Sequence, residues 1–125
     1  MVTALYTAIL ALWLVVLSFR VIALRGNPAF SFFAFGKEES TTLERAIRGQ
    51  GNLTEYAPMM LLMLFLLEQQ GASAALLHGL GGTFLLGRLM HGFCFAFMKK
   101  SVPLRIGGMV LSLTCLLLGA ILLLL

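Results

Sequence analysis

A chain of 125 residues that is 60% hydrophobic and only 11% charged, with a mean hydropathy of +0.99, falls well below the roughly 25% charged content of soluble domains. It reads as an integral membrane protein. The formal net charge of +4 comes from basic residues divided between short loops with no aromatic-basic module around them, which excludes a nucleic-acid binder.

In chain order, residues 1–24 are apolar except for Arg20 and suffice to cross a hydrocarbon core of roughly 30 Å. This segment lacks a basic n-region and is long enough to stay as an anchor, so no cleavable signal is expected. Residues 25–41 form the one long connection. Gly26-Asn27-Pro28 is a turn signal, and Phe30, Phe32, Phe33 and Phe35 make an aromatic cluster suited to anchoring at the membrane interface or to covering a cavity. Ser40, Thr41 or Thr42 is expected to cap the next helix, with Glu44 in its first turn where the helix dipole favours an anion.

The second span, residues 42–67, combines a continuously apolar second half with a first half carrying Glu44, Arg45, Arg48, Asn52 and Glu55. Each of these is costly in hydrocarbon, which marks the segment as a functional site. At about 100° per residue, Arg48, Asn52 and Glu55 fall near 40°, 80° and 20° from Glu44. All four therefore share a face that must meet other helices or a polar ligand. The third span, residues 74–98, contains Arg88 and His91. With Phe95 they are spaced i, i+3, i+7 on one face. Ala75, Gly79, Thr83 and Gly87 recur every four residues as a stripe permitting close helix contact, with Gly108 and Ser112 suggesting a similar contact in the fourth span, residues 106–125. Cys94 and Cys115 read as buried apolar packing with no metal-ligand spacing, so no metal site is expected. His78 has no charged neighbour in sequence and reads as structural.

The predicted fold class is therefore all-α: a single domain over residues 1–125, an integral membrane four-helix bundle. Basic residues flank the first and third connections, and residues 68–71 contain none. The positive-inside tendency puts both basic loops at the cytoplasm and both termini on the opposite side. The second helix then runs away from the cytoplasm and the third returns, so one cytoplasmic-half pocket can draw on Arg48, Asn52, Glu55, Arg88, His91 and Arg105. Arg45, Arg48, Arg88 and Arg105 outnumber Glu44 and Glu55, and surplus cation invites an anionic ligand whose carboxylates guanidinium groups can grip. The competing reading is a structural network in which Glu44 pairs with Arg48 and Glu55 with Arg88.

Glu44-Arg45-Ala46-Ile47-Arg48, followed by Asn52, Glu55 and Pro58, resembles the second-helix signature of the MAPEG family, the membrane-associated proteins of eicosanoid and glutathione metabolism. Gly87-Arg88-x-x-His91 resembles that family's third-helix motif, and Pro103-Leu104-Arg105 the opening of its fourth helix. The resemblance implies a bacterial inner-membrane homotrimer of four-helix subunits, with glutathione as co-substrate bound between neighbours in the cytoplasmic half. Arg48, Asn52, Glu55, Arg88 and His91 match residues that hold glutathione or support its pocket, and Arg20 matches an arginine at the end of the first helix that contacts it. Arg105 matches the catalytic arginine that stabilises the glutathione thiolate. A free thiol has a pKa of about 8.5, and a fixed cation favours the nucleophilic form. Gly51, Phe95 and Ile106 depart from the family pattern, where several members carry arginine, tyrosine and serine. The resemblance implies a detoxifying glutathione transferase or peroxidase acting on lipophilic electrophiles or hydroperoxides from the bilayer. The alternative is a non-enzymatic lipid-binding or scaffold protein of the same fold. A small proton-coupled exporter is disfavoured because residues 1–24 contain no carboxylate.

Overall fold

The computed structural model describes Met1–Leu125 and is entirely helical. Four long helices, α1 (Val2–Leu24), α2 (Thr42–Gln69), α3 (Ala74–Phe97) and α4 (Val102–Leu124), are joined by one long and two short connections. A short 3-10 helix over Pro28–Phe33 brings the total to five. That extra turn lies in the connection expected to be irregular. Asn27 starts it by accepting from the Ala29 amide at 3.0 Å, and Pro28 supplies the preset φ of its first position.

Helix boundaries follow from local chemistry. Gly26 and Gly71, at φ of +98° and +83°, turn the chain out of α1 and α2 in the left-handed region open to glycine. Ser73 and Ser101 cap α3 and α4 by accepting the Leu76 and Leu104 amides. α4 starts at Val102, four residues before the expected apolar span, because Pro103 is compatible with a first helical turn. The expected cap of α2 is corrected: Thr41 occupies the N-cap position without a capping bond, and Thr42 Oγ1 donates instead to the Gly36 carbonyl at 2.8 Å. Glu44 does lie in the first turn.

α1, α3 and α4 are each long and apolar enough to cross a membrane. α2 is not among them, because its first half carries the polar residues. At 28 residues it is about 42 Å long, and it packs against all three others. It passes through Pro58 without ending, leaving the Thr54 carbonyl without its usual helical donor.

The core is built around Leu17, Met60, Leu64, Leu77 and Phe84. Cys94 and Cys115 are both buried; Cys115 packs in the apolar core as expected, whereas Cys94 Sγ donates to the Ser101 carbonyl at 3.3 Å and lies 3.8 Å from Arg45 Nη2, so its surroundings are not purely apolar. The small-residue stripe is only partly used. A Cβ added at Gly79 would meet open space, whereas one at Gly87 would lie 2.9 Å from both the Gly108 carbonyl and Ser112 Oγ. Close approach of α3 to α1 instead occurs at Gly81, against Tyr6, and Gly92, against Trp13. A four-residue repeat drifts around a helix of 3.6 residues per turn, so the stripe leaves the contact line after two turns. His78 pairs through Nδ1 with the Tyr6 hydroxyl at 3.0 Å.

Both ends of the bundle are tied by contacts remote in sequence. At one end the Glu68 carboxylate accepts the Val2 and Thr3 amides at 2.6 and 3.0 Å, satisfying donors at the start of α1 that lack helical partners. Glu68→Ala is expected to speed hydrogen exchange at these amides and lower the melting temperature, with Glu68→Gln intermediate. At the other end Lys99 pairs with Glu39 at 2.6 Å, strapping the long connection to the turn between α3 and α4. The hydrogen bond to Glu39, reinforced by its charge, raises the Lys99 pKa above its ordinary 10.5. The strap's contribution is therefore present below 10.5 and lost as pH rises through the elevated value. Limited proteolysis across that range should show faster cleavage within residues 34–41 at the alkaline end, and no acceleration in Glu39→Gln.

Candidate functional site

The polar half of α2 faces the last turns of α3 and the first turns of α4, and a cleft of about 500 Å³ opens between them. Arg48, Asn52 and Glu55 line it from α2, His91 and Phe95 from α3, and Arg105 and Met109 from α4. Five of the seven residues singled out in the sequence thus share one cavity. The 100° geometry of α2 accounts for its three, since residues spaced by four, then three, return to the same face.

Phe95 forms one wall. Its ring stacks on His91 at 4.6 Å and lies 4.8 Å from the Arg45 guanidinium and 6.0 Å from that of Arg105, so three cationic or basic groups surround one aromatic face and edge. A second cleft of about 290 Å³, lined by Glu44, Arg45, Arg48, Lys99 and Arg105, adjoins the first through Arg48, Phe95 and Arg105. Glu44 pairs with Arg48 at 3.4 Å as their i, i+4 spacing predicts, but both side chains are about two-thirds exposed, so the pair contributes little to stability. Glu55 makes no ion pair. The expected alternative pairing of Glu55 with Arg88 is corrected, because Arg88 turns away from the cleft.

Arg88 is 1% exposed. Its Nε donates to Ser112 Oγ at 2.8 Å, Nη1 donates to Asn52 Oδ1, and Nη2 lies 3.4 Å from Met109 Sδ. Tyr56 and Phe84 rings flank the guanidinium at 5.5 and 5.8 Å. Arg88 and His91 are thus neighbours on α3 whose side chains diverge, one into the helix interface and the other into the cleft.

Arg20 lies elsewhere. It is 2% exposed, donates from Nε to the Ala96 carbonyl at 2.7 Å and from Nη1 to the Phe33 carbonyl at 2.5 Å, and stacks on Phe35 at 3.9 Å. This joins the end of α1, the long connection and the end of α3. Phe33 and Phe35 both pack on Phe97, while Phe32 stays exposed. Phe35, alone of that cluster, lines a further cavity of about 160 Å³ together with Arg20, Arg45 and Lys99, and this cavity adjoins the second cleft through Arg45, Phe95 and Lys99.

Two residues have partners that the sequence did not reveal. Ser112 is the buried acceptor for Arg88, although its sequence signal was only that of a small residue in an apolar helix. Arg45, already conspicuous as a charge in an apolar setting, donates to the Cys94 carbonyl at 3.1 Å and so positions a second guanidinium beside Phe95. A buried arginine always requires acceptors, and that requirement was the available signal.

A family model described as MAPEG matches residues 3–125. The chain is 38% identical over 95 residues to inner membrane protein YecN of Escherichia coli K12, covering 76% of this chain and 70% of that protein. The match to the YecN of Escherichia coli O6:H1 has the same identity and coverage. No solved structure matches. With its three membrane-capable helices, and motifs from α2, α3 and α4 converging on one cleft, the chain belongs to the MAPEG family.

Proposed function

We propose that the chain is a membrane-bound glutathione-dependent transferase with peroxidase capability, its second substrate a lipophilic electrophile or hydroperoxide. The observation that carries this reading is the cleft in which Arg48, Arg105, His91 and the amide of Asn52 surround a single carboxylate, Glu55. Such a donor set suits a small peptide with two carboxylates and one ammonium group. Arg48 and Asn52 grip carboxylate, Glu55 accepts from the ammonium, and Arg105 stabilises negative charge on sulfur. In conjugation the sulfur forms a bond to the electrophilic carbon as a halide departs with its electron pair.

The same reading makes α2 a fourth membrane span and puts the site end at the cytoplasm. Arg25, Lys37, Lys99 and Lys100 lie in the connections at that end, while the connection between α2 and α3 has no Lys or Arg. Both termini then lie on the far side, in the inner membrane that the relatives' name specifies. Arg48, Glu55 and Arg105 are exposed on the single subunit. A neighbouring copy, in a homotrimer, would cover this charged face against lipid.

Calorimetry on protein in detergent is expected to give saturable glutathione binding, and a chloronitroarene should release chloride in a glutathione-dependent manner. Absence of both would remove the proposal. A second reading, a lipid-binding or scaffold protein, is favoured by one feature: an apolar groove of about 320 Å³ between α1 and α2, lined by Leu10, Leu14, Leu53, Ala57 and Leu61, that would accept an acyl chain. Saturable lipid binding without thiol-dependent turnover would select it.

A further inference from the structure

A second group of cations lies outside the main cleft. Arg20 is almost fully buried, and of its three guanidinium nitrogens only Nε and Nη1 have acceptors, the Ala96 and Phe33 carbonyls. Arg45 directs Nη2 to the Cys94 carbonyl, while its Nε is buried and has no acceptor. Neither guanidinium has a carboxylate within ion-pair distance. Both line the cavity of about 160 Å³, whose one acid, Glu39, is already taken by Lys99. Thr41 and Thr42 complete its wall at the start of α2, where Thr41 makes no capping bond and the Leu43 and Glu44 amides have no helical partner. Two uncompensated charges facing one cavity are costly, and a buried donor without an acceptor adds to the cost. A single occupant removes both penalties, provided that it is an anion with several oxygen acceptors.

We propose that this cavity is a phosphate-binding site, filled by the headgroup phosphate of an anionic phospholipid. It stands apart from the main cleft, with only Phe95 common to both walls. Its volume equals that of about five waters of liquid, and is smaller than the roughly 300–1,000 Å³ of pockets that enclose drug-sized molecules. A tetrahedral oxyanion fits that space. The donors converge from α1, α2 and the turn after α3, and an oxyanion with acceptors in several directions meets them better than a planar carboxylate with two oxygens. The surroundings identify the source of the phosphate. Phe35 and Met98 carry the cavity wall outward to exposed apolar surface, with Phe32 exposed on the same connection. A charged interior with an apolar rim at the end of a helix bundle suits a lipid whose phosphate enters while its acyl chains stay along the rim. Two unpaired guanidinium charges favour a lipid of net negative charge over a zwitterionic one.

Thermal melting of the full chain in a neutral detergent, at fixed ionic strength, provides the test. Inorganic phosphate in place of chloride is expected to raise the melting temperature by several degrees. Diheptanoyl phosphatidylglycerol should give the same rise at a concentration about tenfold lower or less, because its chains add apolar contact. Diheptanoyl phosphatidylcholine should give none. Arg45→Gln keeps a donor for the Cys94 carbonyl but loses Nε and the charge, and should weaken both phosphate probes about tenfold or more. Thr41→Glu puts a carboxylate where the dipole of α2 favours it, so the fold is retained, and by neutralising the cavity from within it should abolish the response. Arg48→Gln and Arg105→Gln line the neighbouring clefts but not this cavity, and should respond as the unsubstituted protein does. No rise with either phosphate probe overturns the site, as does a rise that survives both Arg45→Gln and Thr41→Glu. Loss of the rise in Arg48→Gln or Arg105→Gln puts the anion in a neighbouring cleft and overturns its position. Equal potency of inorganic phosphate and phosphatidylglycerol, or an equal response to phosphatidylcholine, overturns the anionic lipid as occupant.

Discussion

Replacing Arg105 with alanine is expected to lower glutathione-dependent turnover by about a hundredfold or more while changing glutathione affinity by less than about tenfold, in the range seen when a donor to a developing anion is removed. The asymmetry arises because Arg48, Asn52 and Glu55 on α2 share the remaining cleft contacts, whereas under the proposed function Arg105 alone meets the sulfur. Without its cation the thiol titrates nearer its ordinary pKa of about 8.5, leaving a small thiolate fraction at neutral pH. The sign is therefore definite. The variant should regain part of its rate as pH is raised towards about 9.5, while the unsubstituted protein should already have reached its plateau. Arg105→Lys should fall between the two, since it restores a charge but not the planar fork. Steady-state rates with a chloronitroarene from pH 6 to pH 10 provide the measurement, and equal loss of affinity and rate would assign Arg105 to binding alone.

The largest expected effect on stability comes from the crossing of α3 and α4. Gly87→Leu should prevent assembly of the bundle, and Gly87→Ala should lower stability by about 1–3 kcal/mol, the usual cost of overpacking. A methyl group at Gly87 would meet the Gly108 carbonyl and Ser112 Oγ at 2.9 Å, and neither can retreat easily. One is backbone, and the other is the acceptor of the buried Arg88. Displacing Ser112 would leave Arg88 Nε unsatisfied, so the two losses reinforce each other. Gly79→Ala, two turns away on the same helix, is the control. Nothing lies within 4 Å of the added carbon, and the gain in helix propensity makes the change neutral or stabilising by up to about 1 kcal/mol. Thermal denaturation in detergent micelles distinguishes the pair.

The contrast between Gly79 and Gly87 illustrates what the sequence could and could not convey. Helix existence was legible because an apolar run of some twenty residues has few alternatives, and the shared face of Arg48, Asn52 and Glu55 was legible because helical periodicity is rigid. Properties set by a single helix were read correctly to within a few residues. Topology also brought the polar parts of α2, α3 and α4 to one end, but the detailed contacts where two helices cross were not legible. Which glycine of a four-residue repeat touches a neighbour depends on the crossing, and the divergence of Arg88 from His91 depends on Ser112 lying across the interface. The resemblance alone made Arg20 a glutathione contact, and in the single subunit the carbonyls of Phe33 and Ala96 lie within its reach and hold it outside the main cleft. The pairing of Lys99 with Glu39 was equally hidden, because it links two connections whose relative position only the assembled bundle defines.

The Glu68 contact has a consequence for biosynthesis. The carboxylate that completes the start of α1 lies 66 residues downstream of Val2, at the far end of α2. While the ribosome has made only the first helix, that helix carries open amides at its leading end. They are satisfied when α2 has been threaded back alongside it. Within the chain the start of α1 is thus completed only when the hairpin of α1 and α2 closes.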